Sequence, residues 1–464
     1  MEEAKGVKVV EVCRVAPPTN SSSTPTSLPL TFFDIHWLRI PQTESVYFYE
    51  IPKLTTSFFD SSIVPNLKHS LSLTLQHFLP IAGSIIWPLD SPHPIINYVP
   101  GNAVSLTIAE SNTDFNMLCS NTCVASQLDS LIPRFTTSHE EAPVITLQVT
   151  LFPSSGFSLG VAAHHAAMDG KAFFMFLKAW AYVCSNNNNL TDQSSFLSLP
   201  KHLIPFYDRS TIRDTAEIGA TSLEGLLNDG GSNNRSVKSW DLAIPMSAEA
   251  IRGSFELTSS NIQKLKEHAK SKLKENDARH LSTFQVTCAY VLQCWMKAEE
   301  PKTNGVAFVF NVDCRSRLEP PIPCTYFGNC AIGHKVIDET KNWLGDDGFI
   351  NALKGIREAL NRLEDGVLSG VVTFSTVKEI SIDYKLFSTA GSPQFDAYSI
   401  DFGWGRIKNM DMTSIRKSGG FYLSDSRNDN GGLVISLMLN KPEMETFTAH
   451  FTEGLIPLML STKL

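Results

Sequence analysis

The chain has 464 residues, of which 42% are hydrophobic and 19% charged, and its formal net charge is −8. A chain of this length and composition can bury a large core, which predicts a globular protein of two domains. The acidic balance argues against a nucleic-acid-binding protein, because phosphate binding needs a basic face. Any anionic ligand must therefore meet a local patch of Lys, Arg and backbone N–H groups.

Cysteine usage and the absence of long apolar runs indicate the compartment. Nine cysteines are scattered along the chain, and none forms a C-x-x-C pair with zinc spacing. Their odd number favours reduced thiols in a cytosolic protein. The first residues carry no apolar leader core, and no uncharged apolar stretch is long enough to cross a bilayer. We expect a cytoplasmic monomer with no bound metal and no membrane partner.

The first half of the chain alternates between strand and helix patterns. Strand patterns cover residues 7–15, 144–152 and 157–163, and helical apolar spacing covers residues 61–78 and 171–184. The turn-forming residues 153–156 separate two of these strand patterns and predict a hairpin.

The second half begins after a polar stretch, residues 211–240, which is the best candidate for a linker. It would separate a first domain, residues 1–210, from a second, residues 241–464. The predicted helices are 259–273, 283–297, 349–363 and 442–455, and the predicted strands are 306–312, 394–401 and 432–439. Strands and helices without strict alternation predict a mixed α/β (α+β) fold.

The segment from Leu159 to Gly170, LGVAAHHAAMDG, ends an apolar strand in two histidines and an aspartate. Neighbours in an extended segment point to opposite faces, so only one of His164 and His165 can face a site. A histidine held at the end of a rigid element suits a general base that takes a proton from a hydroxyl. A structural role remains the alternative. Asp169 either orients the imidazole, as in a triad, or forms a salt bridge that shapes the loop.

A second motif lies far along the chain, at Asp401-Phe402-Gly403-Trp404-Gly405. With His165-x-x-x-Asp169-Gly170 it resembles, in order and separation, the hallmark pair of the plant BAHD acyltransferases. The Leu28–Asp34 stretch, LPLTFFD, is similar to the family's N-terminal motif. Tyr326-Phe327-Gly328-Asn329-Cys330 resembles the branch that acylates anthocyanins and other flavonoid glycosides, often from malonyl-CoA.

This resemblance covers nearly the whole chain and implies a fold and a mechanism. The fold would be two domains related to chloramphenicol acetyltransferase, with a solvent channel between them and a stretch after residue 401 packed on the first domain. His165 would take the proton of an acceptor hydroxyl that attacks the acyl-CoA thioester directly. Asp169 would support it by pairing with Arg315. Asp401, Gly403, Trp404 and Gly405 would be structural, with Asp401 ion-paired and Trp404 packed.

The resemblance also implies where the donor binds. Ser282, Thr283 and Phe284 precede a predicted helix, where N–H groups and hydroxyls can hold a CoA phosphate or simply cap the helix. Lys171 or Arg317 would hold the carboxylate of a malonyl group. The family often has a basic residue at the position of Gln394, so a charge role there is in doubt.

The favoured function is therefore transfer of malonyl from malonyl-CoA to a sugar hydroxyl of a flavonoid, isoflavone or other phenolic glucoside. Hydroxycinnamoyl- or acetyl-CoA as donor, and a non-catalytic accessory protein of the same fold, are the alternatives. Gly156-Phe157-Ser158-Leu159-Gly160 matches the serine-hydrolase elbow, but the strand continues where the elbow requires a helix. His164, His165 and Asp169 lack the spacing of a metal site.

Overall fold

The computed structural model describes residues 6–18, 24–187, 198–242, 246–274, 280–415 and 419–456. Its strands are β1 (Val7–Val15), β2 (Ser27–Pro29), β3 (Thr43–Glu50), β4 (Ser84–Ile86), β5 (Ile95–Asn97), β6 (Val104–Ser111), β7 (Thr122–Val124), β8 (Glu141–Pro143), β9 (Ile145–Phe152), β10 (Gly156–Ala163), β11 (Ile251–Leu257), β12 (Gly305–Asp313), β13 (Ala331–Glu339), β14 (Tyr384–Gly391), β15 (Asn409–Asp411), β16 (Gly420–Asp425) and β17 (Leu433–Leu439).

The described helices follow in chain order. They are α1 (Phe32–Ile35), α2 (Thr56–Phe58), α3 (Val64–Leu75), α4 (Leu79–Ala82), α5 (Phe115–Leu118), α6 (Gly170–Asn187), α7 (Ile218–Asn228), α8 (Ser259–Lys272), α9 (Thr283–Glu299), α10 (Thr340–Leu344), α11 (Gly348–Asn361), α12 (Phe374–Asp383) and α13 (Lys441–Glu453). Each helix predicted from apolar spacing in the sequence has a counterpart among them, namely α3, α6, α8, α9, α11 and α13.

The strands form two large sheets and one small sheet. The first large sheet has the order β1-β6-β9-β10-β3-β15, and the second has the order β13-β12-β14-β16-β17-β11-β7. Both mix parallel and antiparallel neighbours: β6 and β9 run parallel, as do β12, β14 and β16. A four-stranded sheet has the order β2-β5-β4-β8. The predicted mixed α/β class is confirmed.

The hairpin of β9 and β10 lies in the middle of the first sheet and positions the histidines. Every residue of both strands is buried, which explains why the sequence reads as apolar runs rather than as an alternating pattern. Gly160 passes directly against the Leu131 carbonyl, where a Cβ would collide with the oxygen. The chain leaves β10 at Ala163, turns over His165–Ala167 and enters α6.

Each half of the chain contributes a strand to the sheet of the other half. From the C-terminal half, β15 pairs with β3, and from the N-terminal half, β7 pairs with β11. A buried cluster lies between the two sheets and includes Phe48, Leu118, Phe152 and Met438. The boundaries at residues 210 and 240 stay a prediction, but the two sheets are interlocked by this exchange.

The glycine- and asparagine-rich segment predicted as a linker contains α7 and is fastened to the N-terminal half. The buried Arg39 guanidinium donates to the carbonyls of Leu226, Asn234 and Ser236 at 2.9–3.0 Å, and to the Asp229 carboxylate at 3.0 Å. A single cation thus satisfies several backbone acceptors of an otherwise irregular segment.

The predicted strand at residues 394–401 is wrong. The structure has two short 3₁₀ turns there, Pro393–Phe395 and Ala397–Ser399. Asp396 between them has a left-handed backbone with φ of 48°, which a strand does not allow. The Ala397 N–H donates to the Asp425 carboxylate at 2.9 Å instead of to a neighbouring strand.

A buried ion pair joins the two exchanged regions and predicts a large stability effect. Arg252 Nε on β11 lies 3.0 Å from Asp411 Oδ1 on β15, and both side chains are 1% exposed. Removing one partner of a buried pair typically costs ~3–5 kcal/mol, because the other charge stays buried. We expect Arg252→Met to lower the free energy of unfolding by that order, and Arg252→Met/Asp411→Leu to cost less than the single change.

Denaturant unfolding of the purified variants measures this. Lys68→Met is the matched control, because the Lys68–Glu11 pair is half exposed and surface pairs contribute only ~0–1 kcal/mol. An Arg252→Met protein as stable as the control would contradict the role given to the buried pair.

Candidate active site

The turn after β10 gives the two adjacent histidines different surroundings. His164 is 1% exposed, and its Nδ1 accepts a hydrogen bond from the Ala166 N–H at 3.2 Å. Burial and the neighbouring His165 lower the pKa of His164 to about 3. The His165 side chain is only partly buried. His164 therefore belongs to the core, and His165 is the histidine that a reactant can reach.

The His165 ring packs flat against an indole. The centroids of the Trp37 and His165 rings are 3.8 Å apart and their planes differ by 6°. No hydrogen bond of normal geometry reaches the buried Nδ1 from a described residue. Burial lowers the pKa of His165 to about 4, partly offset by its own backbone carbonyl, by Asp169 and by the Asn329 side chain. Because Nδ1 is buried, Nε2 is the nitrogen available to a reactant.

Asp169 is fully occupied by other partners. Its Oδ1 accepts from Arg315 Nη2 and from the Ala172 N–H, both at 3.0 Å. Its Oδ2 accepts from Arg315 Nη1 at 2.8 Å and from the Cys330 N–H at 3.0 Å. The pair is bidentate, the strongest geometry for guanidinium and carboxylate. Of the two readings of Asp169, this geometry matches the loop-shaping salt bridge and not the triad.

The loop Tyr326–Cys330 connects this pair to the N-terminal part of the chain. Asp34 Oδ1 accepts from the Asn329 N–H at 2.8 Å and from its side-chain amide at 3.0 Å. The same amide donates to the His165 carbonyl at 2.9 Å. Asp34 Oδ2 accepts from Arg209 Nη1 at 2.9 Å. Gly328 is required because a Cβ there would collide with the Arg209 guanidinium.

Sequence reasoning assigned no role to Trp37, Asp34 and Asn329. Asp34 belongs to the LPLTFFD motif and Asn329 to the Tyr326–Cys330 motif. Both motifs identified the family, but they did not indicate what either side chain does. The contacts join residues 295 positions apart, and no local periodicity encodes such a pairing. The one local signal for Trp37 was its position three residues after Asp34, which ends the LPLTFFD motif.

The Asp401–Gly405 motif lies at the far end of α6 from His165. A Cβ on Gly403 would contact Ser185 near the C-terminus of α6, whereas His165 precedes its N-terminus. With 1.5 Å of rise per residue, this separation is roughly 20 Å. Phe402 packs between Trp180 and Tyr49, and Trp404 packs against Phe157. The motif therefore packs against α6, the helix that follows His165.

The ion pair expected for Asp401 is wrong. Its Oδ1 accepts the backbone N–H groups of Gly403 and Gly405, at 2.7 and 3.0 Å. Both glycines have positive φ, 103° and 106°, so the carboxylate closes a tight loop of left-handed residues. Within the described ranges the carboxylate caps this turn and meets no cation.

The predicted phosphate position is a capped helix start. Ser282 and Gln285 form a reciprocal capping box at the N-terminus of α9. Lys266 Nζ on α8 lies 3.2 Å from the Thr283 hydroxyl, and the Phe284 ring packs against Phe310. The helix cap expected as the bland alternative is thus present, and Lys266 adds a cation that sequence reasoning missed.

The two candidate cations for a carboxylate differ in their surroundings. Lys171 Nζ lies 3.0 Å from Asp313 Oδ2, so its charge is already paired. Arg317 is exposed, and no described carboxylate pairs with it. It lines a groove of about 440 Å³ together with Arg213, Glu319 and Asp365. His165 is not among the residues that line this groove.

The structure also bears on metal sites and on membrane spans. Across the described ranges, no cluster of three or more His, Cys, Asp or Glu side chains has the arrangement of a metal site. None of the described helices combines the length and apolar character needed to cross a membrane.

Comparison with known proteins places this geometry in a family. The family model described as Transferase family matches residues 5–453. An Arabidopsis thaliana phenolic glucoside malonyltransferase 1 is 36% identical, over 98% of this chain and 99% of that protein. The malonyl-CoA:anthocyanidin 5-O-glucoside-6''-O-malonyltransferase of the same plant is 37% identical, over 97% and 98%. Its agmatine coumaroyltransferase is 36% identical, over 96% and 98%.

Among solved structures, vinorine synthase superposes with a TM-score of 0.66 at 20% identity, over 95% of this chain and 96% of that one. This likeness concerns the fold. The sequence matches extend over both sheets and over both motifs. The chain therefore belongs to the Transferase family of BAHD proteins and is an acyl-CoA-dependent acyltransferase.

Proposed function

We propose that this enzyme transfers a malonyl group from malonyl-CoA to a sugar hydroxyl of a phenolic glucoside, such as a flavonoid or isoflavone glucoside. The observation that carries the chemistry is the isolation of His165. Asp169 is committed to Arg315, so none of the described carboxylates hydrogen-bonds the imidazole, and because Nδ1 is buried the nitrogen left for a reactant is Nε2. The names of two relatives above support malonyl as the acyl group and a glucoside as the acceptor.

His165 acts as the general base. Its Nε2 takes the proton of the acceptor hydroxyl while the oxygen attacks the thioester carbonyl carbon. The tetrahedral intermediate collapses, the C–S bond breaks, and the CoA thiolate takes the proton back from the imidazolium. The depressed pKa of His165 supports this role, because the ring is neutral and able to accept a proton at neutral pH. Donor and acceptor meet at His165 in the channel that the family resemblance implies.

The CoA phosphates bind at the start of α9. The helix N-terminus offers free N–H groups and positive potential, and Lys266 beside the Thr283 hydroxyl adds a cation. For the malonyl carboxylate the candidate cations are Lys171, which is paired with Asp313, and Arg317, which is exposed. The protein functions as a monomer in the cytoplasm, with residues 1–210 and 241–464 as its two domains.

Coumaroyl-CoA is the rival donor that a specific observation supports. The agmatine coumaroyltransferase is as similar to this chain as the malonyltransferases are, so overall identity does not separate the two activities. Acetyl-CoA, and a non-catalytic accessory protein of this fold, are the other outcomes that the donor experiment distinguishes.

The donor experiment compares malonyl-, acetyl- and coumaroyl-CoA with phenolic glucosides and with agmatine, read by mass spectrometry. A charge-assisted hydrogen bond worth ~1.5–3 kcal/mol predicts a kcat/KM for malonyl-CoA about tenfold to a hundredfold above that for acetyl-CoA. Either Lys171→Met or Arg317→Met should remove this preference, and the variant that does so identifies the cation that binds the carboxylate. Equal rates with malonyl- and acetyl-CoA would contradict the malonyl proposal, and no turnover with any donor would support the accessory role.

Replacing His165 with Ala removes the base. A positioned general base contributes ~10²–10⁴-fold, so turnover should fall by that order while CoA binding persists. In the unchanged enzyme, kcat/KM should be flat at neutral pH and fall below about pH 5, because protonation of a group with a pKa of about 4 removes the acceptor. A His165→Ala enzyme with near-normal turnover would overturn the mechanism.

Asp169→Asn tests the loop-shaping pair. Breaking a buried pair costs up to ~3–5 kcal/mol, and some of this is spared because Asp313 also accepts from Arg315 at 3.0 Å. Thermal stability and turnover should therefore fall together. The control is Asp313→Asn, whose half-exposed carboxylate binds the same guanidinium. A fully stable Asp169→Asn enzyme with collapsed turnover would support the triad reading instead.

A further inference from the structure

The indole of Trp37 stacks on the His165 ring. The two rings are parallel at 3.8 Å, whereas the His36 ring meets Trp37 edge-on at 4.8 Å and 78°. Parallel contact of a cation with an indole face is the favourable cation–π geometry. A neutral imidazole makes an ordinary stacking contact there, and an imidazolium makes a stronger one.

The imidazolium that forms during transfer benefits from such a contact, because the His165 backbone carbonyl, Asp169 and the Asn329 side chain offset only part of the effect of burial. Asp169 already accepts four hydrogen bonds, two of them from Arg315. Burial keeps His164 and His36 neutral at neutral pH, with pKa values of about 3 and 4. Asp34 is bound to Arg209 and Asn329. Among these groups no free carboxylate approaches Nδ1.

We infer that Trp37 is a positioning residue for the base: its indole face fixes the plane of the His165 imidazole with Nε2 open, and it stabilises the imidazolium while the ring holds the acceptor's proton. This inference rests on the proposed function. Trp37 exchanges no proton itself. Its contribution is larger in the transition state than in the ground state, because only the transition state carries charge on the ring.

Trp37 is held in place by the same residues that hold the site together. The backbone N–H of Trp37 donates to the backbone carbonyl of Asp34 at 3.0 Å. The Asp34 carboxylate caps α1 through the Thr31 N–H and hydroxyl, at 2.8 and 2.7 Å, and also accepts from Asn329. The indole is therefore pre-organised on a rigid turn, and no reorganisation is needed when charge develops.

Fluorinated tryptophans test the inference without changing shape. Replacing all seven tryptophans biosynthetically with mono-, di- and trifluorotryptophan withdraws charge from the indole face step by step. A cation–π contact worth about 0.5–2 kcal/mol predicts a total fall in kcat of about twofold to thirtyfold across the series at neutral pH. KM for the acyl-CoA should not change. The acid limb of kcat/KM should move to lower pH, because the imidazolium is less stable.

The same series in a Trp37→Phe background is the control, because it carries the other tryptophans unchanged. There kcat should no longer depend on the number of fluorines. A second control, Trp240→Phe, removes another half-buried indole that lies over Arg39 and should keep the full dependence. A flat series in the unchanged chain would overturn the inference. Absence of acyl transfer from any CoA donor would instead overturn the proposed function, so the two failures are distinguishable.

Discussion

The site depends on the buried pair of Asp169 and Arg315. A buried carboxylate and guanidinium stabilise a fold only if hydrogen bonds satisfy their remaining atoms. Here the Cys330 N–H completes the carboxylate, and the carbonyls of Tyr326 and Gly328 accept from the guanidinium at 3.1 and 3.3 Å. The loop at residues 326–330 is therefore held by hydrogen bonds to the ion pair. Once held, it presents Asn329 to both Asp34 and the His165 backbone.

This arrangement separates the shaping of the site from its chemistry. Charged groups hold the loops, and the His165 ring itself stacks on the Trp37 indole. Burial keeps the imidazole neutral, which makes it ready to accept a proton but weakens it as a base. A polarisable ring face can compensate at the moment of transfer without charging the resting state.

The sequence predicted those parts of the fold that rest on local patterns. The β9–β10 hairpin and helices α6, α9 and α11 follow from apolar periodicity over a dozen or so residues. The strand predicted at residues 394–401 fails at Asp396, whose left-handed backbone lies between two short 3₁₀ turns, and apolar alternation does not encode such a turn. Asp401 was misread because its partners are backbone N–H groups. The pairing of Asp169 with Arg315 was predicted from the family resemblance. The stacking of Trp37 on His165 was visible only in the three-dimensional structure, because the two residues are far apart in sequence.

The exchange of β7 and β15 sets the order in which the chain can be completed during synthesis. The first sheet lacks its edge beside β3 until residues 409–411 have left the ribosome, although most of its strands are made in the first 163 residues. An open strand edge is a template for wrong pairing. The β3 edge of the nascent N-terminal half therefore stays exposed until almost the whole chain has been synthesised. Expression of the N-terminal half alone would leave the β3 edge without β15, and expression of the C-terminal half alone would leave the β11 edge without β7.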